Sequence, residues 1–131
     1  MNTDFKNIAK FPLDIPQGYY VVCIMQTQAA YAYRIRIVDE NEVDIIKPME
    51  RRSRLAIPPL WSDISSFNKS KCYVVIEVPE SKNVDSRIVV NDFNGTDDAL
   101  KVRNYTVVVE DDGDYDYNDL FLTITAYNKR G

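Results

Sequence analysis

Tyr31-Ala32-Tyr33-Arg34-Ile35-Arg36-Ile37 puts large apolar side chains at 31, 33, 35 and 37, with Ala32, Arg34 and Arg36 between them. Successive side chains of a β-strand point to opposite faces, so this alternation predicts a strand with one apolar and one polar face. The same period of two returns at Cys72, Val74, Ile76 and Val78, beside Tyr73, Val75 and Glu77. Tyr19–Gln26, Val43–Lys47, Arg87–Phe93, Val102–Val109 and Leu120–Tyr127 are rich in Val, Ile, Tyr and Thr and predict further strands. Turn-forming residues separate several of them: Pro16-Gln17-Gly18, Asp39-Glu40-Asn41-Glu42, Pro79–Asn83 and Asn94-Gly95-Thr96-Asp97-Asp98.

Many short strands at this spacing predict an all-β fold, an antiparallel β-sandwich of about eight or nine strands. A chain of 131 residues suits a single domain over 1–131. Residues 49–71 fit the pattern least. Ile57-Pro58-Pro59-Leu60-Trp61 reads as a break in regular structure, and Ser62–Phe67 as a loop or one short helical turn.

Composition removes several function classes. Hydrophobic residues are 45% and charged residues 27%, which is ordinary for a folded protein. No apolar run is long enough to span a bilayer. The chain contains no histidine, so Ser-His-Asp, Cys-His and most zinc-hydrolase machinery is excluded. Cys23 and Cys72 stand far apart in strand-like runs, and the expectation is two buried free thiols. No basic footprint for a nucleic acid is present. Tyr19, Tyr20, Tyr31 and Tyr33 read as half-buried strand tyrosines rather than as a sugar-stacking platform.

The net charge of −4 has one source. Twenty acids face sixteen bases, but Glu110, Asp111, Asp112, Asp114, Asp116 and Asp119 account for six of the acids; without them, 14 acids against 16 bases give +2. No Lys or Arg lies within 110–119. Two carboxylates roughly 4 Å apart repel by about 4 kcal/mol at an effective dielectric near 20, so such a loop between two strands calls for a counter-charge. Ca²⁺ takes six to eight oxygen ligands in flexible geometry and fits this requirement, whereas Mg²⁺ keeps its waters. Asp112, Asp114, Asp116 and Asn118 alternate as oxygen-bearing residues, and Gly113 permits a tight bend. An EF-hand starting at Asp112 would need Gly at 117 and Glu at 123, where Tyr117 and Thr123 stand.

The string Glu110-Asp-Asp-Gly-Asp114-Tyr-Asp116-Tyr-Asn118-Asp119, followed by an apolar strand and a final glycine, resembles that of the calcium-dependent fucose- and mannose-binding bacterial lectins, the family of the Pseudomonas aeruginosa fucose lectin. The resemblance covers about the last quarter of the chain. It implies one calcium held by Glu110, Asp114, Asp116 and Asp119, and a second held by Asp116, Asn118 and Asp119, with Asp116 and Asp119 bridging. The sugar would contact both ions and the side chains of Asp114, Asp116, Asn118 and Asp119. In the family an Asn at the end of an early strand and the C-terminal carboxylate of a neighbouring subunit complete the second site. Gln26 and Gly131 fall nearest those positions. Thr27, Gln28 and Ala29 would then lie where the family tunes its choice of sugar.

The implied partner is a glycan or a monosaccharide such as fucose or mannose, bound by a homodimer or homotetramer. The alternative is a structural or protein-interaction module, of an adhesion- or toxin-associated kind, in which calcium pins the loop and no sugar binds. Carboxylates this crowded suit metal ligation better than the acid–base pair of a glycosidase, so no enzyme is expected. The N-terminus lacks the pattern of a standard signal peptide, and free calcium is scarce in the cytosol. The expectation is synthesis in the cytoplasm and action outside the cell or at its surface.

Overall fold

The computed structural model describes residues 8–27, 29–53, 60–64, 71–78, 85–110 and 120–128. The described residues form nine strands: β1 Ile8–Leu13, β2 Tyr20–Thr27, β3 Ala29–Asp39, β4 Met49–Ser53, β5 Leu60–Ile64, β6 Cys72–Glu77, β7 Asp85–Asn94, β8 Leu100–Glu110 and β9 Leu120–Tyr127. One sheet has the order β1-β6-β3-β4 and the other β5-β2-β9-β8-β7. Every pairing is antiparallel, as expected of a β-sandwich.

The alternation that predicts the strands also builds the core. Tyr33, Ile35 and Ile37 of β3 and Val74 and Ile76 of β6 are buried from one sheet. Val21, Cys23 and Met25 of β2, Val107 and Val109 of β8, and Leu122, Ile124 and Ala126 of β9 face them from the other. Each fully buried side chain of this size contributes about 1.5–3 kcal/mol relative to exposure. The two cysteines are free and buried, as expected. Burial pushes both thiols up to about 12, with the nearby Asp14 charge adding to the effect at Cys72.

The turns close as their residues dictate. Tyr19 N–H donates to the Pro16 carbonyl across a turn whose third residue, Gly18, sits at φ 87°, where glycine costs least. At 94–98, Asp98 N–H donates to the Gly95 carbonyl and Gly95 N–H to the Ala99 carbonyl.

Two expectations from sequence fail locally, and one strand goes unpredicted. Val43–Lys47 is not a strand; only the isolated bridge between Val38 and Asp44 forms. The cause is Asp39, whose carboxylate accepts from the N–H groups of Asn41 and Val43 at 2.8 and 3.0 Å and curls the chain back onto the end of β3. Leu60-Trp61 does not end regular structure but opens β5, and Ser62-Asp63-Ile64 continues it against β2. Residues 65–67 and the turn expected at Pro79–Asn83 lie outside the described residues. Finally, Ile8–Leu13 forms a strand that alternation alone does not reveal. Pro12 interrupts its pattern, yet an edge strand tolerates a missing N–H, and β1 is an edge.

The two sheets are tied by one polar cluster. The Tyr105 hydroxyl accepts from Asp14 N–H at 2.8 Å and donates to the Asp14 carbonyl at 3.2 Å. Arg103 donates through Nη1 to the same carbonyl at 2.7 Å. The segment leaving β1 is thereby fastened to β8 across the sandwich.

Candidate functional site

Three strand ends converge where the acidic loop leaves and rejoins the five-stranded sheet. β8 ends at Glu110 and β9 begins at Leu120, and Val109 pairs with Leu120 in their ladder. On the other side of β9, Thr27 at the end of β2 stands directly opposite Leu120. Both flanks of the 111–119 loop are therefore held by continuous ladders, and the sheet end under it is built from β2, β9 and β8.

The side chains at this end are oxygen-rich. Glu110 is 1% exposed, and a carboxylate taken out of water requires partners to offset its desolvation. Thr27 follows the inward parity of Val21, Cys23 and Met25 and is fully buried, and its Oγ1 has no hydrogen-bond partner. An orphaned buried hydroxyl costs about 1–3 kcal/mol, so it marks a place where an acceptor or donor is wanted. Gln26 lies half-buried on the opposite face of β2, level with Phe121 and Val108.

The structure adds one residue that sequence reasoning missed. Asp85, the first residue of β7, is the ladder partner of Glu110. Like charges directly opposite each other across a ladder are destabilising, and Arg87 Nη1, 2.6 Å from Asp85 Oδ1, offsets this one. No local motif announces Asp85; the register of β7 with β8 brings it there.

Of the expected site residues, Gln26, Thr27 and Glu110 are thus gathered at one sheet end. Gln28, Asp114, Asp116, Asn118, Asp119 and Gly131 lie outside the described residues. Among the described residues no group of three or more Asp, Glu, Cys or His stands ready to hold a metal. The chemistry at this end is that of a hard-cation ligand: Glu110 and Asp85, opposite each other in the ladder, offer oxygen alone, the chain has no imidazole, and both thiols are committed to the core.

The tyrosines take structural roles. Tyr20 stacks on Tyr127 with ring centroids 5.6 Å apart, at the far end of the ladder from Thr27 and Leu120. Seven residue steps of strand separate those ends, about 23 Å. The Tyr19 hydroxyl donates to the Leu100 carbonyl, and Tyr33 is fully buried. The side chain of Tyr31 lies outside the described residues.

No protein-family model matches the chain, and no curated protein matches it by sequence. Solved structures do match in shape. The C-terminal domain of the BC2L-C lectin from Burkholderia cenocepacia superposes with a TM-score of 0.65 at 16% identity, over 90% of this chain and 96% of that one. The Chromobacterium violaceum lectin CV2L, solved in complex with alpha-methyl-fucoside, gives 0.58 at 18% identity, over 92% and 95%. The high-affinity mannose-binding lectin of Ralstonia solanacearum gives 0.58 at 19% identity, over 88% and 93%. What this chain shares with these bacterial lectins, along nearly its whole length, is their fold.

Proposed function

We propose that this protein is a lectin whose 110–119 loop holds calcium and presents it to a glycan. One observation carries the reading. The six-carboxylate run begins at buried Glu110, at the sheet end formed by β2, β9 and β8, on a fold shared with lectins solved with a fucoside or described as mannose-binding. Calcium bound there would supply a flexible oxygen coordination sphere open to a pair of vicinal sugar hydroxyls. Glu110, Asp114, Asp116 and Asp119 would hold one ion, and Asp116, Asn118 and Asp119 a second. The Gln26 amide would complete the second site.

The chain's own part is recognition. The side chains of Asp114, Asp116, Asn118 and Asp119 accept the sugar's hydroxyl hydrogens. A sugar lacking suitably placed hydroxyls leaves those acceptors unpaired and binds more weakly. Fucose or mannose is the expected monosaccharide, with Gln26, Thr27 and Gln28 on the side that selects between sugars. The protein assembles as a dimer or tetramer and acts outside the cell or at its surface, where calcium is abundant.

The test is a glycan array with the pure protein in calcium and in EGTA. Binding that disappears in EGTA, and in the Asp116→Ala variant, supports the reading; calcium-dependent binding that survives Asp116→Ala overturns it. A second reading, calcium as a pin for a protein-interaction module, is favoured by Gln26, whose longer side chain stands where the lectin pattern has Asn. Competition by free monosaccharide separates the two, because a purely structural ion does not respond to it.

A further inference from the structure

Six carboxylates and no Lys or Arg lie within 110–119, yet the fold brings one cation to the root of that loop. Residues opposite each other in an antiparallel ladder share a face, and successive residues along a strand alternate. Asp85 stands opposite Glu110, and Arg87, two residues on, stands opposite Val108. Val108 is in turn level with Phe121, and Phe121 with Gln26. Arg87, Val108, Phe121 and Gln26 therefore form one rung across β7, β8, β9 and β2. Asp85 and Glu110 lie on the same face, two residues nearer the loop, about 7 Å along the strands.

Glu110 and Gln26, two of the expected ligand residues, thus share a sheet face with Arg87. Among the described residues of these four strands, Arg87 is the one Lys or Arg on that face, since Lys101 and Arg103 have the opposite parity on β8. Its guanidinium is anchored: Nη1 donates to Asp85 Oδ1 at 2.6 Å and to the Ser86 carbonyl at 3.1 Å. The side chain is 63% exposed, so its charge can be changed without touching the core.

We infer that Arg87 sets the affinity of the acidic loop for calcium, as a fixed positive charge built into the base of the site. The inference rests on the calcium reading of 110–119. Arg87 offsets the repulsion between Asp85 and Glu110 while the loop holds no metal, and it opposes the entry of a divalent cation beside them. A unit positive charge about 10 Å from a divalent ion in water weakens its binding about fourfold. Loss of Arg87 also leaves Asp85 less neutralised, which acts in the same direction.

The test is calorimetric titration of calcium, without sugar, into the wild type, Arg87→Gln, Arg87→Lys and Asp85→Asn, with melting in EGTA to report folding. At low ionic strength Arg87→Gln is expected to bind calcium about fourfold tighter than the wild type. Arg87→Lys keeps the charge and the wild-type affinity, and Asp85→Asn binds more weakly. In about 1 M KCl, where the screening length is about 3 Å, the advantage of Arg87→Gln disappears; a change that is merely structural does not respond this way. Calcium binding by the wild type that Arg87→Gln leaves unchanged or weakens overturns the inference alone, as does an advantage that persists in high salt. A wild type that takes up no calcium overturns the calcium reading and this inference with it.

Discussion

Arg103 holds Asp92 with two parallel hydrogen bonds, Nε to Oδ1 at 2.7 Å and Nη2 to Oδ2 at 2.9 Å, across the ladder between β8 and β7. Its remaining Nη1 reaches the Asp14 carbonyl, so one guanidinium joins the outermost strand of one sheet to the segment leaving the other. The bidentate contact draws the Asp92 carboxyl below its ordinary value of 3.8. A carboxylate with a depressed folded value stabilises the fold above its unfolded value and loses that contribution as pH falls through the folded one. Asp92→Asn is therefore expected to be less stable than wild type at neutral pH, and the gap to close below about pH 4. Urea unfolding across a pH series checks this.

Parity along β9 sets a second expectation. Leu122 is fully buried, while Thr123 faces outward beside it. Leu122→Ala should cost about 2–5 kcal/mol, within the range for large-to-small changes in a packed core. Thr123→Ala should cost well under half as much. Denaturant midpoints of the two variants measure the contrast, and equal losses would contradict the assigned register.

The Thr27 hydroxyl gives an expectation of opposite sign. Replacing it by the near-isosteric valine removes a buried group that has no partner. In EGTA, Thr27→Val should equal or exceed the wild type in stability, by up to about 1 kcal/mol. Thermal melts of the two proteins decide it.

Calcium should raise the melting temperature of the wild type, since a ligand that binds only the folded state stabilises by RT ln(1 + [L]/Kd), about 2.7 kcal/mol at a hundredfold excess over Kd. Asp116→Asn should lose most of that gain while melting normally in EGTA. Differential scanning fluorimetry over a calcium series tests both statements.

Burial that pushes Cys23 and Cys72 up to about 12 leaves almost no thiolate at pH 8. Alkylation by iodoacetamide should therefore leave the native protein unlabelled and modify both residues in urea. Mass spectrometry reads the number of adducts.

β3 and β6 are legible from sequence because one buried face imposes a period of two, and β2, β7, β8 and β9 because they are rich in Val, Ile, Tyr and Thr. Legibility fails where one residue's side chain or ring overrides that period. Asp39 captures the N–H groups of Asn41 and Val43 and turns an apparent strand into a bend. Pro12 and Pro58-Pro59 obscure β1 and β5, whose places as edges permit what a central strand would not. At the site, the carboxylate excess of 110–119 is visible as arithmetic, and Glu110 and Thr27 end strands on either side of β9 at one end of the sheet, with opposite parity. Asp85 was not visible, because its place beside Glu110 depends on a ladder between strands and not on any spacing along the chain.

The strand order of the five-stranded sheet also fixes the sequence of events in assembly. β9 lies at its centre, with β5 and β2 on one side and β8 and β7 on the other. Until β9 is in place, this sheet is two halves whose facing edges, β2 and β8, carry valines that await a partner. Closure joins residues from the beginning and end of the chain, a long-range step of the kind that slows folding. The sheet end that carries Glu110 and Leu120 is thus completed only when β9 joins, and a chain cut before Leu120 keeps the other eight described strands without it.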